Sequence, residues 1–311
     1  MTWDHLKNVW QSNDEPFNLS ATLKSGQCFR WQRSSDGVWW GTVGDMAVAC
    51  MQQDGDPSAP IFWQTFPDPD RFDLFASLFR LEVSLESLYS EWISAVPAIR
   101  SAVSAFRGLR IMRQDPVECF FSFQCASCNT VIKIERSVRK LTERYGARIR
   151  LPIEGGPEIN LNSFPSVHSI RNADESLLRS DLWGFRAPRI IQLAEILDAR
   201  SEDWLMNLRQ APYEEAHREL TLLPGIGAKV ADCICLFCLD KDDAVPIDTH
   251  TRQVGVRLFH SEYSQRSLTA KVYNDLADSY RSHFGGYAGW AQQYLFFAEL
   301  RGSASFSQRQ E

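Results

Sequence analysis

The sequence predicts an α+β protein, with a twisted antiparallel sheet and flanking helices over residues 1–114 and an all-helical domain over residues 115–311. Three observations carry this. Through the first 66 residues, short aromatic and β-branched runs alternate with turn chemistry, and six of the ten tryptophans lie there, as suits large side chains packed on one face of a sheet. Beyond Pro67 the pattern turns helical and stays so to the end of the chain. The 311 residues are 44% hydrophobic and 23% charged, enough for a sizeable core in two domains and unlike a disordered or collagen-like chain.

Taken in order, strands are expected at Phe17–Lys24, Cys28–Arg33, Val38–Val43 and Met46–Met51. They are separated by Gly26, Ser34-Ser35-Asp36-Gly37 and Gly44-Asp45, which is turn chemistry at hairpin spacing. A last strand, Ile61–Phe66, follows the loop from Asp54 to Pro60. Asp68-Pro69 reads as an N-cap followed by proline at the first helical position. Asp115-Pro116-Val117-Glu118 repeats the signal, with Glu118 placed to close a capping box. Later helices are expected to begin near Ser166, Pro188, Ser201, Pro212, Ala228, Ser267 and Tyr287, and the boundary between the two parts near Gln114. Between Val131 and Arg150 a helix is expected with seven basic residues against Glu135 and Glu143; it reads either as a solvated face or as a phosphate-facing patch.

Charge and cysteine content narrow the classes. With 33 basic and 39 acidic residues the net charge is −6, which argues against a protein that coats nucleic acid nonspecifically but leaves room for a local DNA-gripping patch. No uncharged apolar stretch reaches the ~18 residues of a membrane span, and no basic cluster with an apolar run opens the chain, so an intracellular protein is expected. Eight cysteines in a long chain without an export signal read as reduced thiols. Cys125-x-x-Cys128 and Cys235-x-x-Cys238 have the spacing of two zinc half-sites, yet both fall in apolar helical runs where cysteine packs as a small hydrophobe. No metal or organic cofactor is expected.

The strongest motif is Leu222-Leu223-Pro224-Gly225-Ile226-Gly227-Ala228-Lys229-Val230-Ala231-Asp232. A helix ends, a hairpin with two glycines follows, and a second helix starts at once. Gly225 and Gly227 let the backbone approach a ligand, and the unpaired amides of the new helix suit a DNA phosphate. A plain αα-turn with C-cap glycine would read the same way. Lys229 sits in the first turn of that helix, where the dipole disfavours a cation and favours the neutral amine a nucleophile needs; a phosphate-touching lysine is the alternative. In Val245-Pro246-Ile247-Asp248-Thr249-His250, Asp248 occupies an N-cap position. A carboxylate there could also offset positive charge on a sugar.

These residues together resemble the helix-hairpin-helix base-excision glycosylases, and more narrowly the 8-oxoguanine DNA glycosylase/lyases of the eukaryotic type. The resemblance extends in order through Gly26-Gln27-Cys28-Phe29-Arg30-Trp31, Arg113-Gln114-Asp115-Pro116-Val117-Glu118-Cys119, Tyr213-Glu214-Glu215-Ala216-His217 and Tyr287-Ala288-Gly289-Trp290-Ala291-Gln292. It implies an all-α helix-hairpin-helix glycosylase domain after the sheet domain, and a monomer that is associated with DNA. It implies that the damaged nucleotide is swung out of the duplex and that Lys229 attacks C1′ and forms a Schiff base, with Asp248 offsetting oxocarbenium charge. The partner is double-stranded DNA containing oxidised guanine. Gln292 would read the purine edge, with Phe296 and Cys233 covering its two faces and the Gly26 carbonyl accepting from N7–H of 8-oxoguanine. His250, Arg252 and the basic helix would hold phosphates. A cluster-bearing relative would need cysteines near the C-terminus, and none follows Cys238. A monofunctional alkylated-base glycosylase would lack the hairpin lysine, and a noncatalytic DNA-binding module would lack Lys229 or Asp248.

The chain departs from that family where the orphaned opposite base is read. The family carries asparagine at the position of Cys128, arginine at Lys133 and tyrosine at Phe185, and keeps Arg186. Cysteine lacks an asparagine's donor and acceptor, and lysine is a point charge where arginine is a fork. A weaker preference for cytosine opposite the lesion is expected, unless Asn129 takes over the missing contact.

Overall fold

Five antiparallel strands form the sheet in the order β1-β5-β4-β3-β2, with β1 at Asn8–Trp10, β2 at Gln32–Arg33, β3 at Trp39–Val43, β4 at Met46–Met51 and β5 at Ile61–Phe66. The computed structural model describes residues 6–126, 129–151, 160–201 and 203–302. Strand β3 turns into β4 through Gly44-Asp45, with Val43 opposite Met46 and Trp39 opposite Cys50; Cys50 in turn faces Trp63 on β5. Alternation sorts the side chains cleanly. Trp39, Val48, Cys50 and Trp63 point to one face and pack with Phe17, Phe75 and Phe79. Trp40, Ala47, Ala49 and Met51 point to the other, with Phe66 and Leu161. Both faces are therefore buried.

Two expected strands differ. Phe17–Lys24 contains the helix Leu19–Lys24, capped by Asn18, whose Oδ1 accepts from the Ala21 amide at 2.9 Å. Its run of buried residues looked strand-like because a six-residue helix pressed between the sheet and the helical core shows no polar stripe. Cys28–Arg33 pairs only at Gln32–Arg33, since the segment before it wraps the core as a loop held by side-chain amides. Strand β1, only three residues long and followed by Ser12-Asn13-Asp14, is not among the expected strands.

The helical starts hold best where a cap is explicit. Asp115 caps Pro116–Phe123 by accepting from the Glu118 amide at 2.9 Å. Glu118 does not return the favour: its carboxylate pairs with the guanidinium of Arg30 across the two parts of the chain. Ser166, Pro212 and Tyr287 are the N-caps of Val167–Arg171, Tyr213–Thr221 and Ala288–Leu300. After Asp68-Pro69 the helix waits until Phe72, with Arg71 at the cap; after Ser201 and Ser267 it begins at Trp204 and Ala270. The basic helix stops at Tyr145, and the chain beyond it makes a short strand, β6 at Arg148–Ile149, paired with β7 at Leu161–Asn162.

The largest core draws on both sides of residue 114, from Leu85, Trp92 and Ile99 to Tyr294 and Phe297. The Tyr89 and Tyr294 hydroxyls meet at 2.7 Å, and the latter donates to the Leu109 carbonyl. This junction presses the last helix, Ala288–Leu300, against the loop that carries Gly26. No helix among the described residues is long and apolar enough to cross a membrane.

Candidate active site

The hairpin forms because its residues leave the chain little choice. Tyr213–Thr221 ends, Gly225 takes a left-handed φ of +75° that disfavours any side chain, and buried Ile226 pins the turn to the core. Gly227 then caps Ala228–Cys238, its carbonyl accepting from the amides of Val230 and Ala231. The amides that precede these are the unpaired donors of a helix start. Gly227 has no neighbour within 4 Å of where a Cβ would stand, so the turn presents open backbone.

Lys229 projects from the first turn with its Nζ 5.7 Å from the centre of the Phe123 ring. One turn on, Cys233 lies against it; burial pushes the Cys233 thiol up to about 11, opposed in part by the Lys229 charge. Cys233 is thus a neutral, apolar wall. Cys235 and Cys238 of the second Cys-x-x-Cys motif are buried in the same helix. The Cys238 thiol donates to the Ile234 carbonyl, and burial holds the Cys235 thiol far above its ordinary value. Cys128 of the first motif lies outside the described residues.

Asp248 caps Thr249–Leu258, accepting from the Thr251 amide at 2.8 Å. It opens onto the same pocket as Lys229, a cleft of about 320 Å³ lined also by Gly26, Cys233, Thr251, Gln292 and Phe296. Gln292 is 2% exposed. Its Nε2 donates to Thr251 Oγ1 at 2.6 Å, and among the described residues its buried Oε1 has no hydrogen-bond partner. Phe296 meets the His250 ring edge-on at 6.0 Å between centroids and lies 3.8 Å from where a Cβ on Gly26 would stand.

The Gly26 loop is held from three sides. Gln293 Nε2 donates to the Ser25 carbonyl at 2.7 Å, and Gln114 Nε2 to the Gln27 carbonyl at 2.8 Å. The buried Gln27 amide bonds Thr22, Ser25 and Arg110 through its nitrogen and the Met112 amide through its oxygen. With φ at +81°, Gly26 turns its peptide within this amide cage.

The expected DNA-facing residues are spread more widely. Lys133 is exposed on Val131–Tyr145, and Asn129 spends its Oδ1 on the neighbouring Thr130 amide. Phe185 is 64% exposed on a short turn, with the buried Arg186 guanidinium 4.3 Å from its ring centre. Part of the basic stretch serves the fold: Lys140 and Arg144 of the helix both pair with Asp181, and Arg148 of β6 bonds Asn160. Lys133, Arg136 and Arg139 stay exposed on the same helix.

Among the pocket residues that sequence reasoning does not single out are Phe123, Phe237, Gln293 and Thr251. Phe123 sat inside an apolar run with nothing to mark it. Gln293 was read as one more residue of the last helix. Thr251, three residues after the Asp248 cap, had a position that could have signalled it, since the third residue of a capped helix points its amide at the cap.

The chain was then compared with known proteins. Residues 9–120 match the model of the 8-oxoguanine DNA glycosylase N-terminal domain. The N-glycosylase/DNA lyase OGG1 of Arabidopsis thaliana is 32% identical over 91% of this chain and 77% of its own length. The N-glycosylase/DNA lyase of Saccharomyces cerevisiae is 29% identical over 94% of this chain and 86% of its own. Among solved structures, the Clostridium acetobutylicum 8-oxoguanine glycosylase/lyase, crystallised with double-stranded DNA containing cytosine opposite 8-oxoguanine, superposes with a TM-score of 0.79 at 25% identity, covering 96% of this chain and 99% of that one. The likeness thus spans nearly the whole chain, and the protein belongs to the 8-oxoguanine DNA glycosylase/lyase family.

Proposed function

We propose that this chain excises 8-oxoguanine from duplex DNA and cleaves the resulting abasic site, with Lys229 as nucleophile and Asp248 as the electrostatic partner. The observation that carries the reading is the cleft itself: an amine, a carboxylate and a buried unpartnered amide oxygen share one pocket. A flipped nucleotide would lay its base between Phe296 and Cys233 and its sugar near Lys229 and Asp248. The Asp248 carboxylate stabilises positive charge on the sugar as the N-glycosidic bond breaks. The Lys229 amine bonds to C1′ as the bond to the base breaks and the base leaves; loss of the amine proton opens the C1′–O4′ bond to give the Schiff base, and removal of a C2′ proton then expels the 3′ phosphate by elimination.

The remaining assignments follow the same geometry. Gln292 Oε1 accepts from the guanine edge, and the caged Gly26 carbonyl accepts from N7–H. Gly225, Gly227 and His250 contact the phosphates, with Lys133. Phe185, backed by Arg186, fills the gap left by the flipped base; the family resemblance alone gives reading of the opposite base to the positions of Asn129 and Cys128. The protein works on DNA in the cell, and a monofunctional glycosylase or a bare DNA-binding module would have no use for an amine beside Asp248.

Borohydride trapping tests this. Wild-type protein with an 8-oxoguanine duplex is expected to give a covalent complex, and Lys229→Gln none, while binding stays within a few-fold because the hairpin backbone supplies the phosphate contacts. A Lys229→Gln protein that binds poorly yet turns over would make Lys229 a phosphate contact. A wild-type protein that binds but is never trapped would end the lyase assignment.

A further inference from the structure

We propose that Thr251 anchors the base-reading amide of Gln292 and so sharpens which purine lesions the pocket accepts; this rests on the reading of Gln292 as the base-facing amide. A carboxamide has two faces, a nitrogen that only donates and an oxygen that only accepts. In Gln292, which lines the pocket, the nitrogen donates to Thr251 Oγ1 at 2.6 Å, and among the described residues the buried oxygen has no hydrogen-bond partner. What the pocket offers a base is therefore an acceptor, and the unmet acceptor is costly until a donor arrives.

Thr251 is built to hold that amide in place. It is 1% exposed, its amide donates to Asp248 Oδ1 at 2.8 Å, and its carbonyl accepts from the buried Tyr280 hydroxyl at 3.2 Å. Buried on a backbone bonded through both its amide and its carbonyl, the Thr251 side chain has little room to leave that contact. The residue that anchors the cap carboxylate also anchors the reading amide. A purine with hydrogen on N1, of guanine or hypoxanthine type, brings a donor to Gln292 Oε1. An adenine-type base brings the N1 lone pair to the same oxygen and is repelled.

Thr251→Val keeps the shape and removes the hydroxyl, which leaves the Gln292 amide without its anchor and free to turn. The test measures single-turnover excision of 8-oxoguanine, 8-oxohypoxanthine and 8-oxoadenine, each opposite the same base. Rates are normalised to trapping on a preformed abasic site, which reports the folded, competent fraction of each variant. Wild type is expected to remove the first two at least about tenfold faster than the third. Thr251→Val should lower the ratio of 8-oxoguanine to 8-oxoadenine excision by about tenfold or more, and Thr251→Ser should restore it to within about threefold. An unchanged ratio in Thr251→Val, or Thr251→Ser behaving like Thr251→Val, overturns the role of Thr251. Equal rates on all three bases by wild type would instead remove the reading of Gln292 on which the proposal stands.

Discussion

Asp232, the last residue of the hairpin motif, offers a test of how the site is held in place. Its carboxylate is fully buried. It accepts from the Tyr213 hydroxyl at 2.7 Å and from the Tyr273 hydroxyl, with His217 Nε2 at 3.8 Å. Tyr273 in turn accepts from the amide of Ile247, the residue before Asp248. The carboxylate thus ties the two hairpin helices to the loop that presents the capping aspartate. Asp232→Leu, close in volume, removes both acceptors. Each orphaned hydroxyl costs about 1–3 kcal/mol, and since Tyr213 is only half-buried it recovers part of that from water. A loss of about 2–4 kcal/mol is expected in urea unfolding at pH 7. Asp232→Asn keeps an acceptor and should lose less than about 1.5 kcal/mol. Burial raises the Asp232 carboxyl above its ordinary value, against the pull of His217 and the two phenols. The folded state therefore binds its proton more tightly than the unfolded chain, and the stability this gives declines as pH rises from about 4. Wild type minus Asp232→Asn should show that declining difference. An Asp232→Leu protein within about 1 kcal/mol of wild type, or a difference that grows with pH, would refute the account.

Two further outcomes follow from the surface. Affinity for duplex DNA should fall with salt at about −0.9 in log–log slope per phosphate; Arg136→Ala should reduce that slope by about one contact, whereas Arg144→Ala, which breaks the pair with Asp181, should lower stability and leave the slope alone. Excision of 8-oxoguanine opposite C, A, G and T should show a weak preference for cytosine, because each missing polar contact at Cys128, Lys133 and Phe185 forfeits about 1–3 kcal/mol of discrimination. A several-hundredfold cytosine preference would assign the reading role to Asn129.

What could be read from sequence was what is local in the chain. A turn needs its glycine within a residue or two, and a cap needs its aspartate three residues before the amide it receives, so Gly225, Lys229 and Asp248 announced themselves. The strand pattern failed at Leu19–Lys24 for the converse reason: a short helix buried against two layers has no period left to detect, and only Asn18 marked it. The rest of the site depends on partners far apart in sequence. Thr251 and Gln292 are 41 residues apart, and Gln293 and Ser25 are separated by 268. The motif around Gly26 shows why this matters. The resemblance gives its glycine a carbonyl to offer the base, but nothing in the motif says what holds the loop. Gln27, Gln114 and Gln293 hold it, three buried amides drawn from both parts of the chain. Since a carbonyl that must tell one hydrogen on N7 from none can drift little before the distinction is lost, the cage is as much a part of the proposed selectivity as the glycine it surrounds.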